Sequence, residues 1–291
     1  MTVEVIEPHG FCQGVTQALR LAGKALAEGE AYCLHPIVHN ETVVAGLAAK
    51  GMRTVASADD LPEGATVVFS AHGVSPEVRG KVESRGCRIV DATCPFVARI
   101  HRQAREFAGR GVPVVVVGHA GHAEVDGIVG EVEYAGGVVR VIGSVDEIEE
   151  IDFPVDAAVG VLCQTTFDAA AAADIVTALS CRFARLEKPA AADVCTATRD
   201  RQDAVRSFIR SGGDGVLVLG SAGSSNTTRL LEIARDAGVR FAARVATVDE
   251  AAGMDFTGVA RLGVTAGAST PESLLAETLG VLPECRNKKG D

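Results

Sequence analysis

Short, unbroken runs of Val, Leu and Ile alternate along this chain with helix-forming stretches, and that alternation limits the fold more than any other feature. Runs such as VVVV (Val114–Val117) and GVLVL (Gly215–Leu219) carry no polar residue at every second position. A strand of that kind expects burial on both faces, which parallel sheets covered by helices provide. Strands are expected at Val3–Ile6, Tyr32–Val38, Thr66–Ser70, Arg88–Val90, Val114–Gly118, Val138–Ile142, Ala157–Leu162, Gly215–Leu219 and Arg261–Val264. Helices are expected at Val15–Glu28, Glu41–Gly51, Pro76–Arg85, Phe96–Arg110, Asp168–Leu179, Thr196–Ser211, Thr227–Ala237 and Pro271–Leu279. Such alternation predicts an α/β fold with mostly parallel sheets.

Charge and composition exclude several classes. With 28 Lys+Arg against 38 Asp+Glu, the net charge is −10, which argues against duplex binding. Aromatic residues make up 4% with no Trp, too few for a base-stacking platform. No apolar run approaches the roughly 20 residues of a membrane span, and the N-terminus lacks the pattern of a secretory signal. Eight cysteines in such a chain read as cytoplasmic thiols or metal ligands rather than a disulfide framework.

The polar clusters fall directly after the strands, in IVHN (Ile37–Asn40), VVFSAHG (Val67–Gly73), VVVVGHAGHAE (Val114–Glu124), GVLCQTT (Gly160–Thr166), GVLVLGSAGSSN (Gly215–Asn226) and LGVTAGAST (Leu262–Thr270). Open parallel sheets bind ligands outside the carboxyl ends of their strands. The spacing makes this a repeat. Cys12, Cys94 and Cys195 each precede a helix, and His39, His122 and Ser224 follow them by 27, 28 and 29 residues. A second polar loop then follows at His72, at Thr165 and Thr166, and at Ser269 and Thr270. Three similar α/β domains are expected, over residues 1–94, 95–194 and 195–291.

A helix N-terminus favours the thiolate form of a cysteine. Three such thiolates would form a soft anionic site suited to Zn, Cu(I) or an iron–sulfur cluster. A cluster held by three cysteines keeps one iron open for substrate. The alternative is that these are ordinary buried cysteines. Cys33, Cys87, Cys163, Cys181 and Cys285 have no counterparts in the repeat and read as small apolar residues. Asp91 and Asp193 precede candidate cysteines and read as turn residues.

The loops are rich in neutral hydrogen-bonding groups: His39, Asn40, His72, His122, Thr165, Thr166, Ser224, Ser225, Asn226 and Ser269. With helix N-termini, this chemistry suits a phosphate or diphosphate. Glu124 is the one carboxylate among them, and beside His122 it is placed for proton transfer. The plainer reading makes His122 a cap and Glu124 a first-turn residue of a following helix. His101, inside a helix, reads as structural.

The stretches GFCQGV (Gly10–Val15), VHN (Val38–Asn40), SAHGVSP (Ser70–Pro76), DATCP (Asp91–Pro95), GHAGHAEVDGIVG (Gly118–Gly130), QTT (Gln164–Thr166), CTATRDRQ (Cys195–Gln202), SSN (Ser224–Asn226) and GVTAGAST (Gly263–Thr270) together resemble the 4-hydroxy-3-methylbut-2-enyl diphosphate reductases, the LytB or IspH family. They follow the family order over nearly the whole chain. The resemblance implies a trefoil of three pseudo-symmetric α/β domains around a 4Fe–4S cluster held by Cys12, Cys94 and Cys195. It implies diphosphate binding by His39, His72, Ser224, Ser225, Asn226 and Ser269. Glu124 would relay protons, with His122 and Thr165 beside it, and His122, Thr165 and Thr166 would also bind the substrate. The implied reaction removes the allylic hydroxyl and yields isopentenyl and dimethylallyl diphosphates, with ferredoxin or flavodoxin as electron donor.

His9 stands where many members of that family have Arg, and Gly223 where Asn is usual before SSN. The alternatives are a cluster dehydratase with a different substrate, which would turn over without a reductant, and a non-catalytic phosphate-ligand binding protein.

Overall fold

The computed structural model describes residues 1–187 and 194–283; Asp193 and Cys285 lie outside the described residues. Among the described residues, twelve strands form three four-stranded sheets, and every pairing is parallel. One sheet holds β2 (Ala31–Leu34), β3 (Met52–Val55), β4 (Thr66–Phe69) and β5 (Arg88–Asp91) in the order β3-β2-β4-β5. The next holds β6 (Val114–Val117), β7 (Val139–Ile142), β8 (Ala158–Cys163) and β9 (Arg185–Glu187) in the order β7-β6-β8-β9. The last holds β10 (Gly215–Leu219), β11 (Phe241–Val245), β12 (Arg261–Ala266) and β1 (Thr2–Val5) in the order β11-β10-β12-β1.

The three sheets share one plan. Each opens with a central strand, adds an outer neighbour, crosses back to the second central strand and ends on the opposite edge. In the last sheet that closing edge is the N-terminal strand. Thr2 through Val5 lie opposite Arg261 through Val264. β1 lies within the expected first domain, residues 1–94, yet pairs with β12 and does not join β2–β5. Its register beside β12 completes the repeat that begins at β10. The chain divides into two compact units. One comprises Met1–Gln13, Val38–Val43 and the chain from Thr196 and contains the β10–β12 and β1 sheet; the other comprises Gly14–Ile37 and Val44–Cys195 and contains the other two sheets.

The unbroken valine runs behave as their pattern dictates. Val115 and Val117 point into a cluster with Val161, Ile175 and Leu179. Val114 and Val116 point the other way, against Ile100, Phe107 and Ile128. Leu217 and Leu219 likewise separate from Val216 and Val218. Each central strand is thus buried on both faces.

Helices α1 (Gln13–Ala27), α4 (Pro95–Gly109) and α7 (Thr196–Arg210) each begin directly after one of the three cysteines. Helices α2 (Glu41–Ala48), α5 (Ala123–Tyr134) and α8 (Ser225–Asp236) follow the first strand of each sheet. The third strands lead to α3 (Pro76–Ser84), α6 (Ala169–Arg182) and α10 (Glu272–Val281), and α9 (Val248–Ala252) precedes β12.

Several expectations need correction. Strands β3, β9 and β11 were not expected from the sequence, and all three are edge strands with mixed exposure. Helix α5 follows His122 as the capping reading expects, although no apolar periodicity marks its extent. Its β-branched residues, with Gly127 and Gly130, have low helix propensity, and burial of Val125, Ile128 and Val132 holds it. Strand β2 stops at Leu34, short of the expected Val38, because His35 takes φ 61° and Pro36 follows. Helix α8 starts two residues early, capped by the Ser224 side chain.

Val3 tests the pairing of β1. It is buried beside Leu262 and Val264, whereas neighbouring Thr2 is exposed. Val3→Asp is expected to lower unfolding free energy by about 3 kcal/mol or more. Thr2→Asp should stay within about 0.5 kcal/mol. Equal effects of the two in thermal or denaturant unfolding would exclude this pairing.

Candidate functional site

The shared sheet plan fixes where loops can meet. Between the first and third strands of each sheet the connections leave in opposite directions, opening a crevice at the carboxyl end. His39, His122 and Ser224 each stand five residues past the first strand of their sheets, and Ala71, Thr165 and Ala268 two past the third. At each crevice the cysteine backbone makes the same bond. Cys12 N–H donates to Ala268 O at 3.1 Å, Cys94 N–H to Ala71 O at 3.0 Å, and Cys195 N–H to Thr165 O at 3.1 Å. All three cysteines are half-buried and immediately precede a helix.

The thirteen candidate residues divide between the units. Cys12, His39, Ser224, Ser225, Asn226 and Ser269 belong to one; Cys94, Cys195, His72, His122, Glu124, Thr165 and Thr166 belong to the other.

In the first group, Ser269 Oγ donates to His39 O at 3.1 Å and lies 3.4 Å from Ser224 Oγ. Asn226 Oδ1 accepts from Ala268 N–H at 3.0 Å, so Ala268 links Asn226 to Cys12. Ser224 caps α8, with Ser225 and Asn226 in its first turn. Their position at a helix N-terminus suits an anion. A side chain at Gly223 would lie in ordinary contact with His39, about 3.9 Å from its Cβ. The glycine therefore leaves space beside His39. His9 lies 3.4 Å from Glu272.

In the second group, Glu124 is 1% exposed. Thr165 N–H donates to its Oε1 at 2.6 Å and Thr165 Oγ to its Oε2 at 2.9 Å. A carboxylate so deeply buried needs such bonds to offset its lost hydration, and the start of α5 adds favourable dipole. His122 caps α5 by accepting from Glu124 N–H at Nδ1. In the neutral ring the proton then sits on Nε2. The His72 and His122 rings meet edge to face, 5.7 Å between centroids. Ser70 Oγ lies 3.4 Å from His72 Nδ1.

Two contributors escaped sequence reading. Gln164, fully buried, accepts from His119 N–H and donates to Thr166 Oγ, tying the β6 loop to the β8 loop. A Cβ at Gly118 would stand 3.1 Å from Gln164, so the glycine permits this approach. The QTT stretch hinted at Gln164 without showing its partner. Glu41 accepts from Ser221 Oγ at 2.7 Å, and that bond holds its carboxyl below the usual range. No local pattern pairs residues 180 apart.

Within each unit, among the described residues, no three His, Cys, Asp or Glu side chains stand grouped as for a metal ion. The other cysteines differ. Cys33 and Cys163 are buried, as expected of small apolar residues, but Cys181 is exposed and Cys87 half-buried. Burial pushes the Cys33 thiol up to about 12. At pH 8 iodoacetamide should therefore modify Cys181 in the native protein and leave Cys33 intact until unfolding. Peptide mass spectrometry checks this; modification of Cys33 at the Cys181 rate would contradict its burial.

The LytB protein family model matches residues 3–282. The chain is 40% identical over 280 residues to 4-hydroxy-3-methylbut-2-enyl diphosphate reductase 2 of Burkholderia mallei, covering 96% of this chain and 84% of that protein. The Azoarcus sp. reductase of the same name is 42% identical over 277 residues, covering 94% and 86%. Among solved structures, the E-1-hydroxy-2-methyl-but-2-enyl-4-diphosphate reductase of Plasmodium falciparum matches with a TM-score of 0.91 at 28% identity. The match covers 97% of this chain and 88% of that one.

Proposed function

The chain belongs to the LytB family, and we propose that it reduces 4-hydroxy-3-methylbut-2-enyl diphosphate to isopentenyl and dimethylallyl diphosphates. The reaction removes an allylic hydroxyl with two electrons and two protons. The observation that carries this reading is the buried Glu124 locked on Thr165, whose own carbonyl holds the Cys195 backbone. It joins a proton-bearing group to a candidate ligand through one residue.

Cys12, Cys94 and Cys195 would hold a 4Fe–4S cluster. Their donor chemistry fits: soft thiolates, each before a helix N-terminus and half-buried. When bound, the cluster would relay electrons from an external donor and offer a Lewis-acidic iron.

The chain's own residues do the rest. Hydroxide leaves poorly, so a proton must reach it as the bond breaks. Glu124 holds that proton. Thr165 Oγ donates to the carboxylate and accepts once Glu124 is protonated, so it passes a proton either way. The His72 and His122 imidazoles take part of the diphosphate. His39, Ser224, Ser225, Asn226, Ser269 and the α8 N-terminus offer further donors to it, and Thr166 braces the Thr165 loop through Gln164. Among the described residues no helix is long and apolar enough to cross a membrane. A reducing cytoplasm would preserve the thiols, and ferredoxin or flavodoxin would supply electrons.

Anaerobic purification with iron and sulfide analysis and Mössbauer spectroscopy tests the reading. About four iron per chain, with one iron site shifting on addition of the substrate, is expected. Absence of iron, or turnover without a reductant, would reject it. Cys→Ser at position 12, 94 or 195 should lower iron content sharply; full iron in any one removes that cysteine from the ligand set. Glu124→Gln should keep iron and substrate affinity yet lose about 10²–10⁴-fold in kcat. An unchanged kcat would move proton delivery elsewhere.

A further inference from the structure

His101 lies in the middle of α4, 5% exposed, and takes no part in the chemistry described above. Its ring nevertheless stands between two segments that carry site residues. Nδ1 lies 3.0 Å from Glu131 Oε1 on α5. The opposite edge, Cε1 and Nε2, packs against two glycines. One is Gly73, next to His72; a Cβ there would stand 3.0 Å from Cε1 and 3.2 Å from Nε2. The other is Gly127, one turn after Glu124 on α5; a Cβ there would stand 2.9 Å and 3.0 Å from the same atoms, and 3.9 Å from His72 O. Neither site admits a methyl group without movement of the ring.

Glu131 holds the ring in place. It is 4% exposed, and burial works against its charge. Hydrogen bonds from His101 and from Arg105, at 2.6 Å, outweigh that cost and keep its carboxyl below the usual range. Since a carboxylate only accepts, His101 Nδ1 must be the donor. The ring is thereby fixed on one side by a hydrogen bond and on the other by glycine contacts.

We infer that His101 is a positioning residue: its ring sets the spacing between the His72 loop and α5, and so the meeting of His72 with His122. This rests on the reading above in which His72 and His122 bind the diphosphate. Glu124 is held separately by two bonds from Thr165, so substrate binding should suffer while the chemical step does not.

Two variants of the holoenzyme separate positioning from mere stability. His101→Asn keeps a donor toward Glu131 but removes the ring edge. Gly127→Ala keeps both ring and bond but fills the space. Each should raise KM by about tenfold with kcat within about threefold, the pattern of lost uniform binding. Calorimetric titration with inorganic diphosphate should show weaker binding to both. The double variant should lose less affinity than the product of the singles, because the added methyl then has room. A purely structural His101 predicts that His101→Asn lowers the melting temperature while KM stays at its original value, and that result would overturn the inference. His72→Ala serves as the reference. If it raises KM while both variants leave KM unchanged, the inference about His101 fails and the site reading stands. If His72→Ala leaves KM unchanged, the diphosphate reading fails and takes the inference with it.

Discussion

The backbone N–H of each helix-start cysteine donates to the carbonyl two residues past the third strand of a sheet, and the rest of the site is built around that bond. Net, one such hydrogen bond contributes only about 1 kcal/mol. Its importance is geometric. It fixes the first residue before α1, α4 and α7 to the end of β12, β4 and β8, so each cysteine backbone is tied to the carboxyl end of a sheet rather than left on a free loop. Repetition at 3.0–3.1 Å in all three sheets shows that the cysteine positions belong to the sheet plan and not to three separate loops.

The same plan gives one position three chemistries. Seven residues past the first strand stand Glu41, Glu124 and Asn226. Glu124 and Asn226 do the same structural work: each accepts from the backbone N–H two past the third strand, Thr165 in one case and Ala268 in the other. Both are almost fully buried. An amide there holds the loop through its oxygen and keeps its NH2 as a donor, whereas a carboxyl can exchange a proton. The third member, Glu41, turns instead to Ser221, whose hydrogen bond holds its carboxyl below the usual range. The three equivalent positions therefore differ by side-chain choice on a repeated backbone.

Sequence reading was strongest where burial is uniform along a segment. The central strands announce themselves because both faces are covered, and VVVV separates residue by residue into two cores. The helix starts after Cys94 and Cys195 were legible from local signals, Pro95 and the Thr196 helix pattern. Edge strands β3, β9 and β11 were not, because a half-solvated edge needs no apolar run. Helix α5 was signalled only by its His122 cap, since Gly127 and Gly130 weaken its pattern, and those glycines admit the His101 ring and the neighbouring Ser75 side chain.

The sequence by itself determined the α/β class, the three cysteines at helix starts and the six polar loops, because each is written in residues a few positions apart. Only the tertiary structure decided that the N-terminal strand closes the last sheet, that Thr165 rather than His122 fixes the Glu124 carboxylate, and that Glu131 orients His101. Those partners lie 30 to more than 250 residues apart. Closing such loops costs chain entropy that no local pattern records, and the pairing is settled by which buried groups can satisfy one another once the sheets are packed.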